Sequence, residues 1–265
     1  MNILILGGTG FLGSYLSYAL NEVHQVDFTY SKNTISKGIQ YSIGDDLISK
    51  ISCNKYDIVI NNINPLNLSY RQLVAFTEDL ILLCNRSNAK IIQISSVFAS
   101  FRNRFENSYN VKKAISEDII RTELSEEKYC ILRLPQLFDG KGLFRISQPG
   151  LFYLLKQIKS NGPISLFANY KECLRNYMPL EIVVQMILVV INKNFKGVIN
   201  AHLDEFTLSL EQLVYQSSYL LLCTRHHRFL LLPFLQLHPF VITVCIIHKH
   251  QRVLKSQKPS MKAII

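Results

Sequence analysis

The sequence has 265 residues, enough to bury a full core, and its 48% hydrophobic content excludes broad disorder. Its net charge of +10 is concentrated in residues 212–265, which hold seven basic and no acidic residues, leaving 22 basic against 19 acidic residues before them. With a net charge of only +3, the first 211 residues are not expected to bind nucleic acid.

The N-terminus runs from Met1 directly into an apolar segment and then glycines, with no basic region and no small-residue cleavage site. We therefore expect a cytoplasmic protein without a secretory signal. The six cysteines show no C-x-x-C spacing. This spacing predicts buried thiols, with no disulfide framework and no metal site.

Apolar runs of strand length alternate with longer helical stretches up to about residue 135. The pattern predicts strands at 1–6, 24–29, 39–42, 57–60, 90–94 and 129–134. It predicts helices at 11–22, 72–85 and 110–124. Continuous apolar strands separated by helices are typical of a parallel sheet covered on both faces, so we predict a doubly wound α/β fold.

The pattern becomes less regular beyond residue 139. Between 140 and 215 it predicts helices at 151–158 and 180–192 and short strands at 164–167 and 197–200. We interpret 1–139 as the first domain and 140–215 as a smaller region, part of which returns to the sheet. The sequence shows no internal repeats.

The tail, residues 216–265, differs in character from the rest of the chain. Five of the seven histidines lie between 226 and 250, and 229–247 contains no Lys, Arg, Asp or Glu. That stretch is long enough to span a bilayer, although Pro233 and Pro239 in its middle are costly there. Three interpretations stay open: a non-native or frame-shifted C-terminus, which we favour, a membrane-associating segment, or an ordinary buried element.

A glycine-rich turn joins the first strand to the first helix. Gly7, Gly10 and Gly13 have the spacing G-x-x-G-x-x-G. Such glycines allow a tight turn, bring backbone N–H groups close to a pyrophosphate and let the helix pack on the strand. The turn predicts a dinucleotide site that includes the helix-opening residues Phe11 and Leu12.

The end of the second strand bears on the choice between NAD and NADP. An acid there binds a ribose 2′-hydroxyl, whereas a small residue followed by a cation accepts a 2′-phosphate. This strand ends in Ser31 and Lys32, and the acid Asp27 comes too early. We therefore expect NADP or NAD, with NADP slightly favoured. The alternative is that Lys32 is an ordinary solvated loop residue.

Three residues form a candidate catalytic group. Tyr109 and Lys113 have the spacing Tyr-x-x-x-Lys, which places both on one face of a helix. A nearby ammonium and the positively charged nicotinamide would favour the phenolate and lower the pKa of the tyrosine toward the range useful for proton transfer. Ser96 closes a buried strand, where its hydroxyl can hydrogen-bond a substrate oxygen. An exposed helical pair is the alternative interpretation of Tyr109 and Lys113.

The glycine turn, the serine at a strand end and Tyr-x-x-x-Lys occur in an order that resembles the extended short-chain dehydrogenase/reductase family. Three later segments are also similar to that family, and they favour its nucleotide-sugar branch: Leu132–Pro135, Arg175–Glu181 and Gly197–Asn200. The resemblance covers about residues 1–210. It implies a Rossmann-type fold, with 1–139 as the NAD(P)-binding domain and 140–215 as the substrate side.

The resemblance also implies roles for further residues. Arg175 matches an arginine that commonly contacts the substrate's diphosphate, and a surface ion pair is the alternative. Asp45, after Gly44, matches an acid that approaches the adenine, although a simple Asx turn explains it almost as well. Lys113 would also hold the cofactor's ribose. The family tendency is a homodimer, and the setting is bacterial surface-polysaccharide synthesis.

Four features depart from the family pattern. Only 13 positions separate Ser96 from Tyr109, Pro179 stands where the family has His, and Asn61–Asn64 replaces the usual His-Leu-Ala-Ala. No later family element is recognisable after about Leu213. These departures bear on substrate and activity more than on fold or cofactor.

The favoured function is therefore an NAD(P)-dependent oxidoreductase, epimerase or dehydratase acting on a small nucleoside-diphosphate sugar. A dehydratase ranks last, because Val97 and Phe98 follow Ser96 where an acid pair is expected. The competing interpretation is a non-catalytic NAD(P)-binding regulatory or degenerate family member, since fold alone does not establish catalysis. Membrane contact through the tail is compatible with either function but is not favoured.

Overall fold

Seven strands form one parallel sheet in the computed structural model, which describes residues 1–32, 38–51, 55–101, 108–139, 149–160, 174–204 and 207–213. These strands are β1 Asn2–Leu6, β2 Gln25–Tyr30, β3 Ile39–Gln40, β4 Ile58–Asn61, β5 Lys90–Ser96, β6 Tyr129–Leu134 and β9 Gly197–Asn200. A second sheet contains β7 Gln136–Phe138, β8 Leu174–Pro179 and β10 Thr207–Ser209, in the order β10-β8-β7.

Helices follow most strands of the larger sheet. They are α1 Phe11–Asn21, α2 Leu47–Lys50, α3 Tyr70–Ser87, α4 Ser108–Glu123, α5 Pro149–Ser160 and α6 Leu180–Asn192. A short 3₁₀ helix, Val97–Phe101, follows β5. The start of α3 is set by a capping box, in which Ser69 and Gln72 each accept the other's backbone N–H.

The strand order is β3-β2-β1-β4-β5-β6-β9, and each neighbouring pair is parallel. The chain first winds outward from β1 to β3, then returns to β4 on the other side of β1. Parallel strands all end at the same edge of a sheet, and the reversal opens a crevice at the carboxyl ends of β1 and β4. The turn at Gly7 therefore stands at the position where dinucleotides bind in this architecture.

Side chains that point alternately to the two faces of the sheet form its core. Leu4 and Leu6 belong to a fully buried cluster with side chains of α3 and α4, including Leu80 and Ile120. Successive residues of a strand point to opposite faces of the sheet. A continuously apolar strand is therefore buried only if other elements pack on both faces. On α6, eight residues are buried, in agreement with its almost wholly apolar sequence.

The described residues fall into two compact units. The first contains Met1–Leu137 and Pro179–His202, and the second contains the described parts of Phe138–Met178 and Leu203–Ile265. The predicted Rossmann-type doubly wound fold is confirmed. The strand predicted at 164–167 and the tail 216–265, with all three of its interpretations, lie outside the described residues. In the part that is described, no helix combines the length and apolarity needed to cross a membrane.

Candidate active site

The glycine turn is shaped by close backbone packing. Gly7 has φ +76°, in the left-handed region that side chains with a Cβ rarely adopt. A Cβ on Gly13 would lie 2.2 Å from the Gly7 carbonyl oxygen and 2.8 Å from Cα of Gly8. The first turn of α1 therefore lies against the loop more closely than any residue but glycine permits at position 13.

Side chains from two neighbouring strand ends hold this turn. The Gly7 N–H donates to Oγ1 of Thr29 at 2.9 Å, and the Gly8 N–H donates to the Thr29 carbonyl oxygen at 3.0 Å. On the other side, Nδ2 of Asn62 donates to the Gly7 carbonyl oxygen at 3.3 Å. The loop geometry is thus fixed by β2 and by the residue that follows β4, neither of which the motif itself contains.

The N-terminus of α1 has the character of an anion site. Its cap residue, Gly10, supplies no side-chain cap, and the first turn, which Phe11 and Leu12 open, contains no acidic residue. The leading N–H groups of a helix carry a partial positive charge that a phosphate can satisfy. The tight Gly7–Gly13 cradle and this uncapped helix start therefore fit the pyrophosphate of a dinucleotide.

Asp27, the acidic residue of β2, is hydrogen-bonded to two other side chains. Oδ2 of Asp27 accepts from Nζ of Lys55 at 2.6 Å and from the Tyr56 hydroxyl at 2.7 Å. Burial opposes its ionisation, but those hydrogen bonds and the Lys55 charge outweigh it, so the pKa of Asp27 lies below its usual value. Ser31 and Lys32, directly after the strand, are exposed.

Asp45 lies in a turn that uses its own carboxylate. Gly44 has φ +104°, and Oδ2 of Asp45 accepts the Ser42 N–H at 2.9 Å. The Asp45 N–H in turn donates to the Ser42 carbonyl oxygen at 2.9 Å. This is the local turn geometry that an aspartate after glycine favours, and it leaves the expected approach to an adenine as a prediction.

Tyr109 and Lys113 lie one turn apart on α4, with Nζ of Lys113 5.9 Å from the centre of the Tyr109 ring. Lys113 is 4% exposed. Its ammonium donates to the Ile94 carbonyl oxygen at 2.7 Å and to the Ile63 carbonyl oxygen at 3.3 Å. The lysine therefore joins α4 to the end of β5 and to the loop after β4.

The neighbouring lysine holds the same loop. Nζ of Lys112 donates to the Leu66 carbonyl oxygen at 2.8 Å and lies 5.7 Å from the centre of the Tyr70 ring. Lys112 is 7% exposed, so its ammonium is paired inside the protein rather than solvated. Two consecutive lysines of α4 thus fix the chain between β4 and α3 through its backbone.

Burial dominates the ionisation of both predicted catalytic groups. It lowers the pKa of Lys113 from 10.5 to about 8, although the charge of Glu117 opposes the shift. The pKa of Tyr109 is raised in this structure, because desolvation penalises the phenolate.

The shifted pKa of Lys113 predicts how stability depends on pH. Between the folded pKa of about 8 and the unfolded value of 10.5, the unfolded chain binds more protons, so stability rises with pH. Relative to Lys113→Met, the wild type should gain about 2 kcal/mol from about pH 8 to about pH 10. Urea unfolding of both proteins across this range measures the difference. If the free energies of unfolding of the two proteins changed with pH in parallel, the prediction would be wrong. The control is Lys50→Met, which replaces an exposed lysine.

Ser96 ends β5, and its Oγ accepts the Phe98 N–H at 3.3 Å, at the start of the 3₁₀ helix. Ser95 beside it donates from Oγ to Oε1 of Glu117. Sequence reasoning missed Glu117, an acid with 1% exposure on the face of α4 that carries Tyr109 and Lys113. Its spacing of four residues from Lys113 was the available signal.

Arg175 lies on β8 in the second compact unit, paired in register with Leu208 of β10. Its neighbour Asn176 fixes this small sheet, donating from Nδ2 to the Leu203 carbonyl oxygen at 2.6 Å and to Thr207 Oγ1 at 2.9 Å. The cofactor and catalytic candidates with described positions lie in the first unit. The role of Arg175 therefore stays a prediction.

A family model described as "NAD dependent epimerase/dehydratase family" matches residues 3–203. No curated protein matches the chain at a significant level.

Three similar solved structures carry the same fold. A hypothetical dTDP-4-dehydrorhamnose reductase from Sulfolobus tokodaii is 21% identical, with 83% of this chain and 82% of that chain covered and a TM-score of 0.65. UDP-glucose 4-epimerase from Thermotoga maritima, with UDP-glucose, is 18% identical at the same coverage, with a TM-score of 0.64. UDP-glucuronic acid 4-epimerase from Bacillus cereus, with UDP-glucuronic acid and NAD, is 18% identical at that coverage, with a TM-score of 0.66.

Proposed function

Because the chain belongs to the NAD-dependent epimerase/dehydratase family, we propose that it is an NAD(P)-dependent oxidoreductase or epimerase acting on a nucleoside-diphosphate sugar. The observation that carries this proposal is the position of Lys113. Its buried ammonium lies near the Tyr109 ring and is hydrogen-bonded to the strand that ends in Ser96. A tyrosine, a cation and a hydroxyl can together transfer a proton to and from a sugar oxygen.

The cofactor would be held along the carboxyl edge of the larger sheet. The turn at Gly7–Gly13 and the N–H groups that open α1 would bind its pyrophosphate. Asp45 would approach the adenine, and Lys113 would hold the ribose next to the nicotinamide. When bound, the nicotinamide ring supplies the site that accepts a hydride from the sugar and returns it.

The chain's own residues would move the proton. Tyr109 would accept the proton of the sugar hydroxyl as the carbon that bears this hydroxyl loses a hydride. In the reverse step Tyr109 would return the proton. Ser96 would hydrogen-bond the same sugar oxygen. Lys113 would favour the ionised phenol, opposing the effect of burial on the Tyr109 pKa. Sugar binding that excludes water would strengthen that charge interaction.

The family covers several outcomes of this chemistry. Epimerase and 4-keto reductase remain our leading candidates. We rank dehydratase last, because Val97 and Phe98 follow Ser96 and offer no acid for eliminating water. Arg175 would contact the substrate's diphosphate, for which a guanidinium provides two parallel hydrogen bonds. A homodimer through the helices that flank the sheet is the expected assembly.

The test of the proposal starts from purified full-length protein. Nicotinamide fluorescence on titration with NADH and NADPH should report saturable binding, with little protein background because the chain lacks tryptophan. Incubation with NAD⁺ or NADP⁺ and a panel that includes UDP-glucose and UDP-glucuronic acid should then give interconverted sugars, or incubation with NADH or NADPH and a 4-keto sugar nucleotide should oxidise the cofactor. Cofactor binding without turnover of any sugar would favour the non-catalytic binding protein. Absence of cofactor binding would refute both functions.

The preference for NADP rests on Lys32. This exposed lysine follows the end of β2, while Asp27 is already paired with Lys55 and Tyr56. We expect Lys32→Ala to weaken NADPH binding roughly tenfold, the effect of losing about 1.5 kcal/mol from one charged hydrogen bond. NADH binding should stay unchanged.

Lys50→Ala, at another exposed lysine, is the matched control. Fluorescence titration of the wild type and both variants with each cofactor provides the measurement. Tighter wild-type binding of NADH would overturn the NADP preference alone. An equal effect of Lys32→Ala on both cofactors would assign Lys32 a role other than recognising the 2′-phosphate.

A further inference from the structure

Glu117 extends the face of α4 that carries the predicted catalytic pair. Tyr109, Lys113 and Glu117 follow one another at intervals of four residues, so they lie along one side of the helix. Glu117 is 1% exposed. A carboxylate at this depth is costly to bury unless charged or hydrogen-bonding partners surround it.

Its partners come from two neighbouring strands, and one of them, Arg133, also bonds the 3₁₀ helix. Arg133 of β6 donates from Nε to Oε1 and Oε2 of Glu117 at 3.1 and 3.0 Å, and from Nη2 to Oε2 at 2.5 Å. Ser95 of β5 donates to Oε1. The Nη1 atom of Arg133 continues to Oγ of Ser100 in the 3₁₀ helix at 2.9 Å.

These contacts converge on the chain around Ser96. Ser95 precedes it and is tied to α4, while Ser100, four residues later, is tied to β6 through Arg133. The guanidinium forms a forked pair with the carboxylate, which restricts orientation as well as distance. The strand end that carries Ser96 is therefore bound on both sides to the helix that carries Tyr109.

The charge of the Glu117 carboxylate also affects the pKa of Lys113. Among the described residues, the ionisable groups on this face of α4 are Tyr109 and Glu117, and Arg133 reaches the face through Glu117. The elements packed against the ammonium, β5 and the loop after β4, present the carbonyl oxygens of Ile94 and Ile63. Burial lowers the Lys113 pKa, and the Glu117 charge raises it.

We propose that Glu117 is a positioning residue of the active site, which clamps the Ser96 strand end to the Tyr109–Lys113 helix through Ser95 and Arg133. The proposal rests on the proposed function. Glu117 itself would touch neither sugar nor cofactor. Its removal should therefore slow hydride transfer without weakening NADH binding.

The first test replaces the whole charged pair, because Glu117→Gln alone would leave Arg133 buried without its partner. Apolar residues of similar volume often replace a buried ion pair without loss of stability. We expect the double variant Glu117→Met/Arg133→Met to keep its fold by circular dichroism and its NADH affinity. Hydride transfer from UDP-glucose or UDP-glucuronic acid to NAD⁺ should fall at least tenfold. A folded double variant with wild-type turnover would overturn the proposal.

A direct titration separates this proposal from the proposed function. In protein labelled with ¹³C-lysine, the Lys113 resonance is assigned by its loss in Lys113→Met, and its titration is followed without any sugar. The double variant should titrate at lower pH than the wild type. If the shift occurs but no sugar turns over even in the wild type, the proposed function fails and the electrostatic role of Glu117 stands. An unchanged titration counts against that role.

Ser95 offers a milder variant should the double one fail to fold. Ser95→Ala removes the hydroxyl bond to Glu117 and leaves the ion pair with Arg133 in place. We expect it to slow hydride transfer several-fold with unchanged NADH affinity, and Ser95→Thr to restore the rate. Equal rates for the wild type and Ser95→Ala would overturn the clamp.

Discussion

Tyr109→Phe is expected to slow hydride transfer roughly 100- to 10,000-fold, the range that a positioned acid–base group contributes. The change removes the hydroxyl that would exchange a proton with the sugar and keeps the ring near Lys113. Cofactor binding should be nearly intact, because the predicted pyrophosphate site lies on the Gly7–Gly13 turn. Single-turnover nicotinamide absorbance with the nucleotide-sugar panel measures the rate, and NADH fluorescence measures affinity.

Tyr18→Phe is the matched control, since Tyr18 is 75% exposed on α1. It should behave as the wild type in both measurements. A Tyr109→Phe variant that turns over at the wild-type rate would remove Tyr109 from the catalytic group. Loss of NADH binding in that variant would instead assign the hydroxyl to the cofactor site.

Gly13→Ala is expected to have the largest effect on the cofactor site. The new Cβ would overlap the Gly7 carbonyl oxygen at 2.2 Å and lie 2.8 Å from Cα of Gly8. Both are backbone atoms, so relief requires moving the loop away from α1. We expect a cost of about 3 kcal/mol, at the upper end for overpacked sites. It would be observed as lost stability or as roughly 100-fold weaker NADH binding.

Gly150→Ala in α5 is the control, because a Cβ there meets no atom within 4 Å. Alanine is also the better helix former, so this variant should lose no stability. Urea unfolding and NADH titration of the two variants provide the comparison. Wild-type stability together with wild-type affinity in Gly13→Ala would show that the loop yields freely and that glycine is not required there.

Hydrophobic periodicity predicted the larger sheet closely. The strand expected at 129–134 is β6, and the helix expected at 180–192 is α6. Both are runs whose own sequence dictates burial, on two faces for the strand and nearly all round for the helix. The resemblance to the extended short-chain dehydrogenase/reductase family is likewise confirmed.

The smaller sheet was not predicted, because its strands pair with segments that are far away along the sequence. β8, Leu174–Pro179, mixes polar and apolar residues and pairs with β10 more than 25 residues later. Its only buried residues are Tyr177 and Met178, too few to produce a periodic signal. A strand of this kind is defined by long-range pairing, which local pattern does not contain.

The candidate site was predicted in part for the same reason. Tyr109 and Lys113 were found because they are neighbours on one helix. Glu117 was missed because its proposed role depends on contacts with Ser95 and Arg133, which are 22 and 16 residues away along the chain. Arg133 was noted only as part of a strand similar to the family's.

The hydrogen bonds from Lys112 and Lys113 to the loop after β4 end on the carbonyl oxygens of Leu66 and Ile63. Every amino acid carries that oxygen, so these contacts place no demand on the side chains at the two positions. Other side chains at Ile63 and Leu66 are therefore compatible with the same hydrogen bonds from α4. The asparagines of this segment differ in that respect, because the side chain of Asn62 itself holds the Gly7 turn. Departure from the usual His-Leu-Ala-Ala at Ile63 thus leaves the contact with α4 in place, whereas the departure at Asn62 adds a contact to the glycine turn.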